Sequence, residues 1–385
     1  MSFVVKTIMI TKKKKIKVGI IFGGRSAEHE VSLVSATSVI NALDKKKYEI
    51  VQIGITLDGR WISSPDALSA LKIRKNIDRQ TQKVIIPDPN HRSLIKLFSR
   101  KLEEEKLDVV FPVLHGTFGE DGTIQGLLEM ANIPYVGAGV LASSVAMDKI
   151  IARRLYKAAG IPVTPDIWFL WKDYNDSKIR IIENIEKDLG YPCFIKPSNT
   201  GSSVGISKAH NRRELIKAIE LAAEYDRKIL VEKSVENARE IEVSVLGNDN
   251  PVASVSGEII PSNEFYDYNA KYVDGKSQSK IPAKLPKNIV KKIQEYAIRG
   301  YKAVDCSGMA RADFLVDSKT NKIYLSELNT IPGFTSISMY PKLWEASGIP
   351  YPKLLDRLIE LALERHKEEA KLKTVYKPKA NWYKS

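Results

Sequence analysis

Residues 17–24, KVGIIFGG, decide the fold class. A short apolar run ends in two glycines, which is how a strand runs into a tight turn. A helical stretch follows over roughly 28–43, with Val31, Val34, Ile40 and Leu43 as its apolar positions. Strand, glycine turn and helix open a βαβ unit. A second strand is expected at Glu49–Ile55, and a third at 107–114 (LDVVFPVL), ending in His115-Gly116. Residues 123–131 read as helix. The first 136 residues therefore read as an open, Rossmann-like α/β domain. Such sheets bind ligands at the carboxyl ends of their strands.

Beyond it the pattern changes from α/β to α+β. One helix is expected over 139–159, stopped by Gly160 and Pro162. CFIKP (193–197) is a strand entering the loop Ser198–Gly205. Asn211 and Glu214 resemble an N-cap pair before a helix. ILVEK (229–233) closes a central unit over 137–231. Strands at 241–247, 251–260, 310–316 and 322–328, with helices at 287–303 and 352–366, make a C-terminal unit over 232–366. Residues 261–286 are polar and form a long loop, the expected lid. Residues 1–16 and 367–385 are basic extensions.

The 385 residues are 43% hydrophobic and 28% charged, which excludes a disordered or disulfide-stapled chain. Net charge is +14. Residues 1–17 hold six lysines and no acid, and 366–385 hold six lysines against Glu368 and Glu369. The body is left at about +4, with no basic stripe, which argues against a nucleic-acid partner. Cys193 and Cys306 are far apart in apolar, strand-like contexts and read as buried free thiols. Residues 130–147 carry no charge, but Pro134, Gly137 and Gly139 make them strand, turn and helix start rather than a membrane span. A cytoplasmic protein is expected.

Several residues can carry chemistry. The turn at 317–321 makes Asp313 and Glu327 cross-strand neighbours, with Arg311 and Asn329 one pleat along. Such oxygens beside an arginine suit Mg²⁺, or form a solvated sheet face with a surface ion pair. Lys196 precedes a glycine- and serine-rich loop whose backbone N–H groups suit an anion; a plain surface loop is the alternative. Glu232, Lys233 and Glu240 either line an adenine or end an exposed strand. Lys149, taken alone, is a solvated helix residue. His115 and the turn to Gly122 face a substrate or are merely tight. Of Glu28 and Glu30, one binds an ammonium group or both favour a helix N-terminus; His29 between them reads as surface. Residues 264–272 put four aromatics and a lysine in the long loop, as a lid needs.

Seven segments in order resemble the D-alanine–D-alanine ligase family of the ATP-grasp superfamily: GGRSAEHEVS (23–32), LHGTFGEDGTIQG (114–126), MDK (147–149), KPSNTGSSVG (196–205), FYDYNAKY (265–272), RADF (311–314) and ELNTIPGFTSIS (327–338). The resemblance runs from about residue 17 to 365. It implies an ATP-grasp fold of three domains and ATP-dependent synthesis of D-alanyl-D-alanine for peptidoglycan, through an acyl phosphate. Asp313, Glu327 and Asn329 would hold two Mg²⁺ or Mn²⁺ ions. Lys149, Lys196 and Lys271 would contact phosphates, with Ser202 and Ser203 in the phosphate loop. Glu232, Lys233, Val235 and Glu240 would line the adenine and ribose. Glu28 would bind the first ammonium group, with His115 nearby. Arg311 and the Gly333 N–H would stabilise the oxyanion, and Ser338 and Met339 would receive the second carboxylate. Glu28, Ser202 and Tyr272 match a hydrogen-bonded set, and Tyr272 goes with D-alanine rather than D-lactate as second substrate. The resemblance also implies a homodimer. A ligase using D-serine or D-lactate second, and a basic nucleic-acid binder, are the rival readings.

Overall fold

Strand β1 (Ile16–Gly23) lies in the middle of a sheet, and its alternation explains why. Val18, Ile20 and Phe22 point to one face and Ile21 to the other, all fully buried. A strand apolar on both faces belongs inside a covered parallel sheet. The computed structural model, which describes residues 14–74, 78, 81–260, 278–335 and 337–376, has it there. β1 pairs in parallel with β2 (Tyr48–Ile55), which pairs antiparallel with β3 (Trp61–Ser63). Between β3 and the next core strand, β4 (Lys83–Ile85), β5 (Ser93–Lys96) and β6 (Glu104–Lys106) form a small antiparallel sheet that the sequence did not announce. β7 (Val109–Pro112) then pairs in parallel with β1, giving the order β3-β2-β1-β7. Helices α1 (His29–Ala42) and α2 (Ala67–Lys72) cover the Phe22 face, and α3 (Thr123–Met130) covers the Ile21 face.

The single helix expected over 139–159 is two, α4 (Val140–Met147) and α5 (Lys149–Ala158). Asp148 breaks it: its backbone is extended and its carboxylate accepts from Ile150 N and Ile151 N, so it N-caps the second helix. Both helices pack against the C-terminal sheet, with Ala142, Ala152 and Tyr156 among that sheet's buried residues. Strands β8 (Asp166–Leu170), β9 (Cys193–Pro197), β10 (Ser207–Ala209) and β11 (Lys228–Lys233) form an antiparallel sheet in the order β10-β9-β11-β8. Helices α6 (Trp171–Asp188) and α7 (Arg212–Ala223) cover one face of it. Asn211 caps α7 through Glu214 N, as its spacing suggested.

The C-terminal sheet comprises β12 (Ala238–Leu246), β13 (Val252–Ile260), β14 (Gln278–Lys280), β15 (Met309–Asp317) and β16 (Ile323–Asn329), all antiparallel, in the order β14-β13-β12-β15-β16. β14 lies inside the stretch expected to be loop, and residues 261–277 fall outside those described. Helix α8 (Lys287–Ala303) covers one face. Helix α9 (Met339–Ala346) packs near β13. Helix α10 (Tyr351–Glu369) returns to the first sheet, burying Leu354, Leu355 and Leu358 against the Phe22 face. Cys193 and Cys306 are buried free thiols, though Cys306 sits in the turn after α8 and not in a strand. Among the described residues no helix is long and apolar enough to cross a membrane.

Candidate functional site

Alternation on β9 and β11 sorts their side chains. Cys193, Ile195, Ile229 and Val231 face α6 and α7. Lys196 and Glu232 face the opposite way, on neighbouring strands, and their charges meet at 2.9 Å. Glu232 is buried, contrary to its reading as an exposed strand end. It also meets the fully buried Arg153 at 3.0 Å, and Arg153 meets Asp166 at 3.1 Å. Burial alone would raise the Glu232 carboxyl; Lys196 and then Arg153 outweigh it and hold it at about 2. Lys233 is exposed, while Val235, before β12, and Glu240, within it, are half-buried.

Lys149 is likewise buried rather than solvated. Its Nζ donates to the Thr200 carbonyl at 2.6 Å, and its backbone N to the Ser198 carbonyl. Asp148 beside it accepts from Ser198 Oγ at 2.6 Å and pairs with Lys228. The start of α5 and the glycine-rich loop are thus tied together. Within that loop Ser202 and Ser203 both have left-handed backbones, with φ of 47° and 60°. Two successive non-glycine residues in that region are strained, a feature that collects in ligand-holding loops.

The hairpin β15–β16 holds the acidic group. Ala310, Ala312, Phe314 and Val316 of β15 face the core, so Arg311 and Asp313 face away from it. On β16, Ile323 and Leu325 face the core, and strict alternation would send Glu327 after them. A β-bulge between Asp313 and Phe314 intervenes: Phe314 pairs with Leu325, yet Asp313 pairs with Glu327. One extra residue, Ser326, flips the parity, so Leu328 returns to the core while Glu327 and Asn329 join Asp313 and Arg311. Arg311 grips Asp313 with two hydrogen bonds of 2.7 Å, and Asn329 Nδ2 donates to Asp313 at 3.0 Å. Glu242 of β12, paired in register with Asp313, meets Arg311 Nε at 3.0 Å. The ion pair is therefore part-buried and shared, not a solvated surface pair.

The first glycine turn completes the arrangement. Glu28 is buried and accepts a hydrogen bond from Ser202 Oγ, while Glu30 is exposed. A Cβ on Gly116 or on Gly201 would stand 2.5 Å from Glu28 Oε2, so glycine at both lets the two loops close on one carboxylate. His29 is buried, not at the surface, with Nδ1 at 2.8 Å from the Gly24 carbonyl. His115 is buried between Ser35 Oγ (3.0 Å) and the Ile331 carbonyl (3.2 Å), and burial lowers its pKa. Glu120 accepts from Gly116 N at 2.8 Å. Enclosure and then the nearby Glu28 push its carboxyl above the ordinary range, with Arg311 and Glu327 also within electrostatic reach.

Gly333 lies against Ser338, the residue before α9. A Cβ there would come 2.7 Å from Ser338 Oγ. Ser338 holds the N-cap position but its side chain caps no helix N–H; it meets Thr335 Oγ1 at 2.8 Å instead. Met339, the first residue of α9, is buried with Ile259 and Leu343. Lys271 and Tyr272 lie outside the described residues. Among the described residues no group of three or more His, Cys, Asp or Glu side chains is placed to hold a metal ion. The acidic face offers the Asp313 and Glu327 carboxylates and the Asn329 amide, with the Glu242 carboxylate beside Arg311.

Sequence reasoning passed over Glu242 and Arg153, gave Asp148 no role of its own, and took Glu120 only as one of the acids in the turn after His115. Glu240 and Glu242 two apart in an apolar strand were a legible signal for a polar face. Arg153, one charge among several in a helical stretch, carried none.

Residues 17–138 match the family model described as D-ala D-ala ligase N-terminus, and residues 155–360 the model described as D-ala D-ala ligase C-terminus. A D-alanine–D-alanine ligase of Acetivibrio thermocellus is 50% identical over 370 residues, which is 93% of this chain and 98% of the relative. The solved D-alanine–D-alanine ligase of Coxiella burnetii is 38% identical, with a TM-score of 0.81 over 93% of this chain and 97% of that one. The VanG D-Ala:D-Ser ligase of Enterococcus faecalis is also 38% identical, with a TM-score of 0.79 over 91% of this chain and 100% of that one.

Proposed function

The chain belongs to the D-alanine–D-alanine ligase family, and from that premise we propose that it joins two D-alanines at the expense of ATP, making the dipeptide for peptidoglycan precursors. The observation that carries the reading is the bulged hairpin, which turns Glu327 and Asn329 onto the face of Asp313 and Arg311. Phosphoryl transfer needs charge neutralised around the moving group, and the next step needs it around an oxyanion. Acidic oxygens and a guanidinium on one face suit both.

The first D-alanine places its ammonium group at Glu28, whose burial and contact with Ser202 fit a cation held between two loops. Its carboxylate oxygen attacks the terminal phosphorus of ATP; the phosphorus–oxygen bond to ADP breaks and an acyl phosphate forms. Lys149 and Lys196, anchored by the Thr200 carbonyl and by Glu232, offset charge on the phosphates. The amine of the second D-alanine then attacks the acyl carbon and loses a proton, and phosphate leaves with the former carboxylate oxygen. Arg311 and the Gly333 N–H stabilise the intervening oxyanion. The start of α9 at Ser338 and Met339 receives the second carboxylate, where backbone N–H groups favour an anion.

Asp313, Glu327 and Asn329 would hold magnesium. The donor set supports this: oxygen ligands only, brought to one face by strand register. A bound divalent cation supplies neutralisation of phosphate charge. Phosphate release from ATP tests the proposal, with D-alanine, L-alanine, D-serine and D-lactate as substrates. Release is expected with D-alanine and absent with L-alanine. Appreciable ester from D-lactate would contradict the assignment of Tyr272, and no release with D-alanine would contradict the reading as a whole.

A further inference from the structure

Asp313 is claimed from several sides. Arg311 donates two hydrogen bonds of 2.7 Å to its carboxylate and Asn329 a third of 3.0 Å. On the proposed reading a divalent cation needs the same oxygens, and Arg311 is needed at the reacting carbonyl. A guanidinium bound only to Asp313 would compete with the cation, or be released when the cation arrived. Glu242 removes this conflict. It lies on β12 as the register partner of Asp313, is buried, and reaches Arg311 Nε at 3.0 Å from the side away from β16. No proposed substrate contact uses it.

We propose that Glu242 is a positioning residue: it holds Arg311 on the sheet face when Asp313 turns its oxygens to a divalent cation, so that the arginine and the cation do not compete for one carboxylate. The inference rests on the ligase reading for the presence of the cation, and its test is read on cation binding as well as on turnover.

The probe is Mn²⁺ titrated into the full chain with a non-hydrolysable ATP analogue, the free ion being followed by electron paramagnetic resonance. Glu242→Gln keeps the side chain's shape and removes its charge. Arg311 then has Asp313 alone, and Mn²⁺ binding is expected to weaken by about tenfold. At saturating Mg²⁺, where the cation site is filled again, turnover should still fall by about tenfold or more, since Arg311 is also needed at the oxyanion of the second step. Loss of one negative charge would also weaken Mn²⁺ binding, so two further variants separate the causes. In an Arg311→Met background Glu242→Gln should change Mn²⁺ binding by less than about twofold, because no guanidinium is left to compete. Glu242→Asp keeps the charge but shortens the reach, and should weaken binding as Glu242→Gln does.

Equal weakening in both backgrounds, or wild-type binding by Glu242→Asp, would overturn the proposal, as would a wild type that binds no Mn²⁺. A wild type that binds Mn²⁺ yet forms no dipeptide would instead count against the ligase reading. Thermal melting of each variant checks that it folds, and Glu242→Asp decides the matter alone if Arg311→Met does not.

Discussion

Glu120 keeps its proton to a higher pH than an ordinary glutamate because its carboxyl is enclosed and faces Glu28. A raised acid in the folded state has a defined consequence for stability. Between the ordinary carboxylate range and the raised value, the folded protein holds a proton that the unfolded chain has released. Stability therefore falls as pH rises through that window. Glu120→Gln keeps an acceptor for Gly116 N and removes the titration. Its melting temperature, followed from about pH 5 to pH 9, should lose this fall and exceed that of the wild type at the alkaline end. Equal slopes in both proteins would contradict the account. At this scale the sequence was legible where spacing fixed geometry: Asp313 and Glu327 face each other as counting across the turn implied. It was not legible where burial decides. Glu232 and Lys149 look like surface residues in the chain and are buried in the fold, because the partners that compensate them come from distant segments; His29 is buried too, on the Gly24 carbonyl of its own turn.

The β-bulge at Ser326 shows why one element was right for an incomplete reason. Counting symmetrically about residue 320 pairs Asp313 with Glu327, and also pairs Leu315 with Leu325. Only the first pair exists; near the turn Leu315 meets Tyr324. The turn is one residue tighter and the bulge restores the difference. Leu325 and Leu328, three apart and both buried, were the trace of this in the sequence. Deleting Ser326 would leave Leu325, Glu327 and Leu328 in plain alternation, with Leu325 and Leu328 still in the core and Glu327 still on the face of Asp313. A folded deletion variant with activity within about tenfold of the parent is expected, and Ser326→Ala should keep activity within about twofold. A deletion variant that folds but loses activity by about a thousandfold would contradict this register. The helix expected over 139–159 failed for a related local reason. Its apolar spacing continues through Asp148, but that side chain caps the backbone on one side and grips Ser198 on the other.

Across the whole molecule, the N-terminal sheet and the C-terminal part share one buried apolar cluster, with Met309, Phe334 and Leu354 beside Phe22 and Phe111. The basic tail was expected from residue 367, yet α10 runs to Glu369 and its end is structural. Arg365 there donates to the Gly137 carbonyl at 2.6 Å, to Ser307 Oγ at 2.5 Å and to the Tyr135 carbonyl at 3.1 Å, and its guanidinium lies 4.5 Å from the Tyr135 ring centre. It therefore fastens the end of the N-terminal family match to the turn before β15. Arg365→Met should cost on the order of 3 kcal/mol, since it removes hydrogen bonds to a charged group and leaves buried carbonyls unmet. Chemical denaturation measures this, and a loss below about 1 kcal/mol would mean that the contact is incidental. The open α/β character of the N-terminal part followed from one strand and its glycines. The position of α10 on that sheet did not, because an amphipathic helix does not state which apolar face it will cover.

The central claim is that an alanine carboxylate is activated by taking a phosphoryl group. D-alanine labelled with ¹⁸O in its carboxylate, supplied with ATP and Mg²⁺, tests it directly. The account predicts one labelled oxygen in the inorganic phosphate released for each dipeptide formed. Dipeptide formation with no label in phosphate would contradict it.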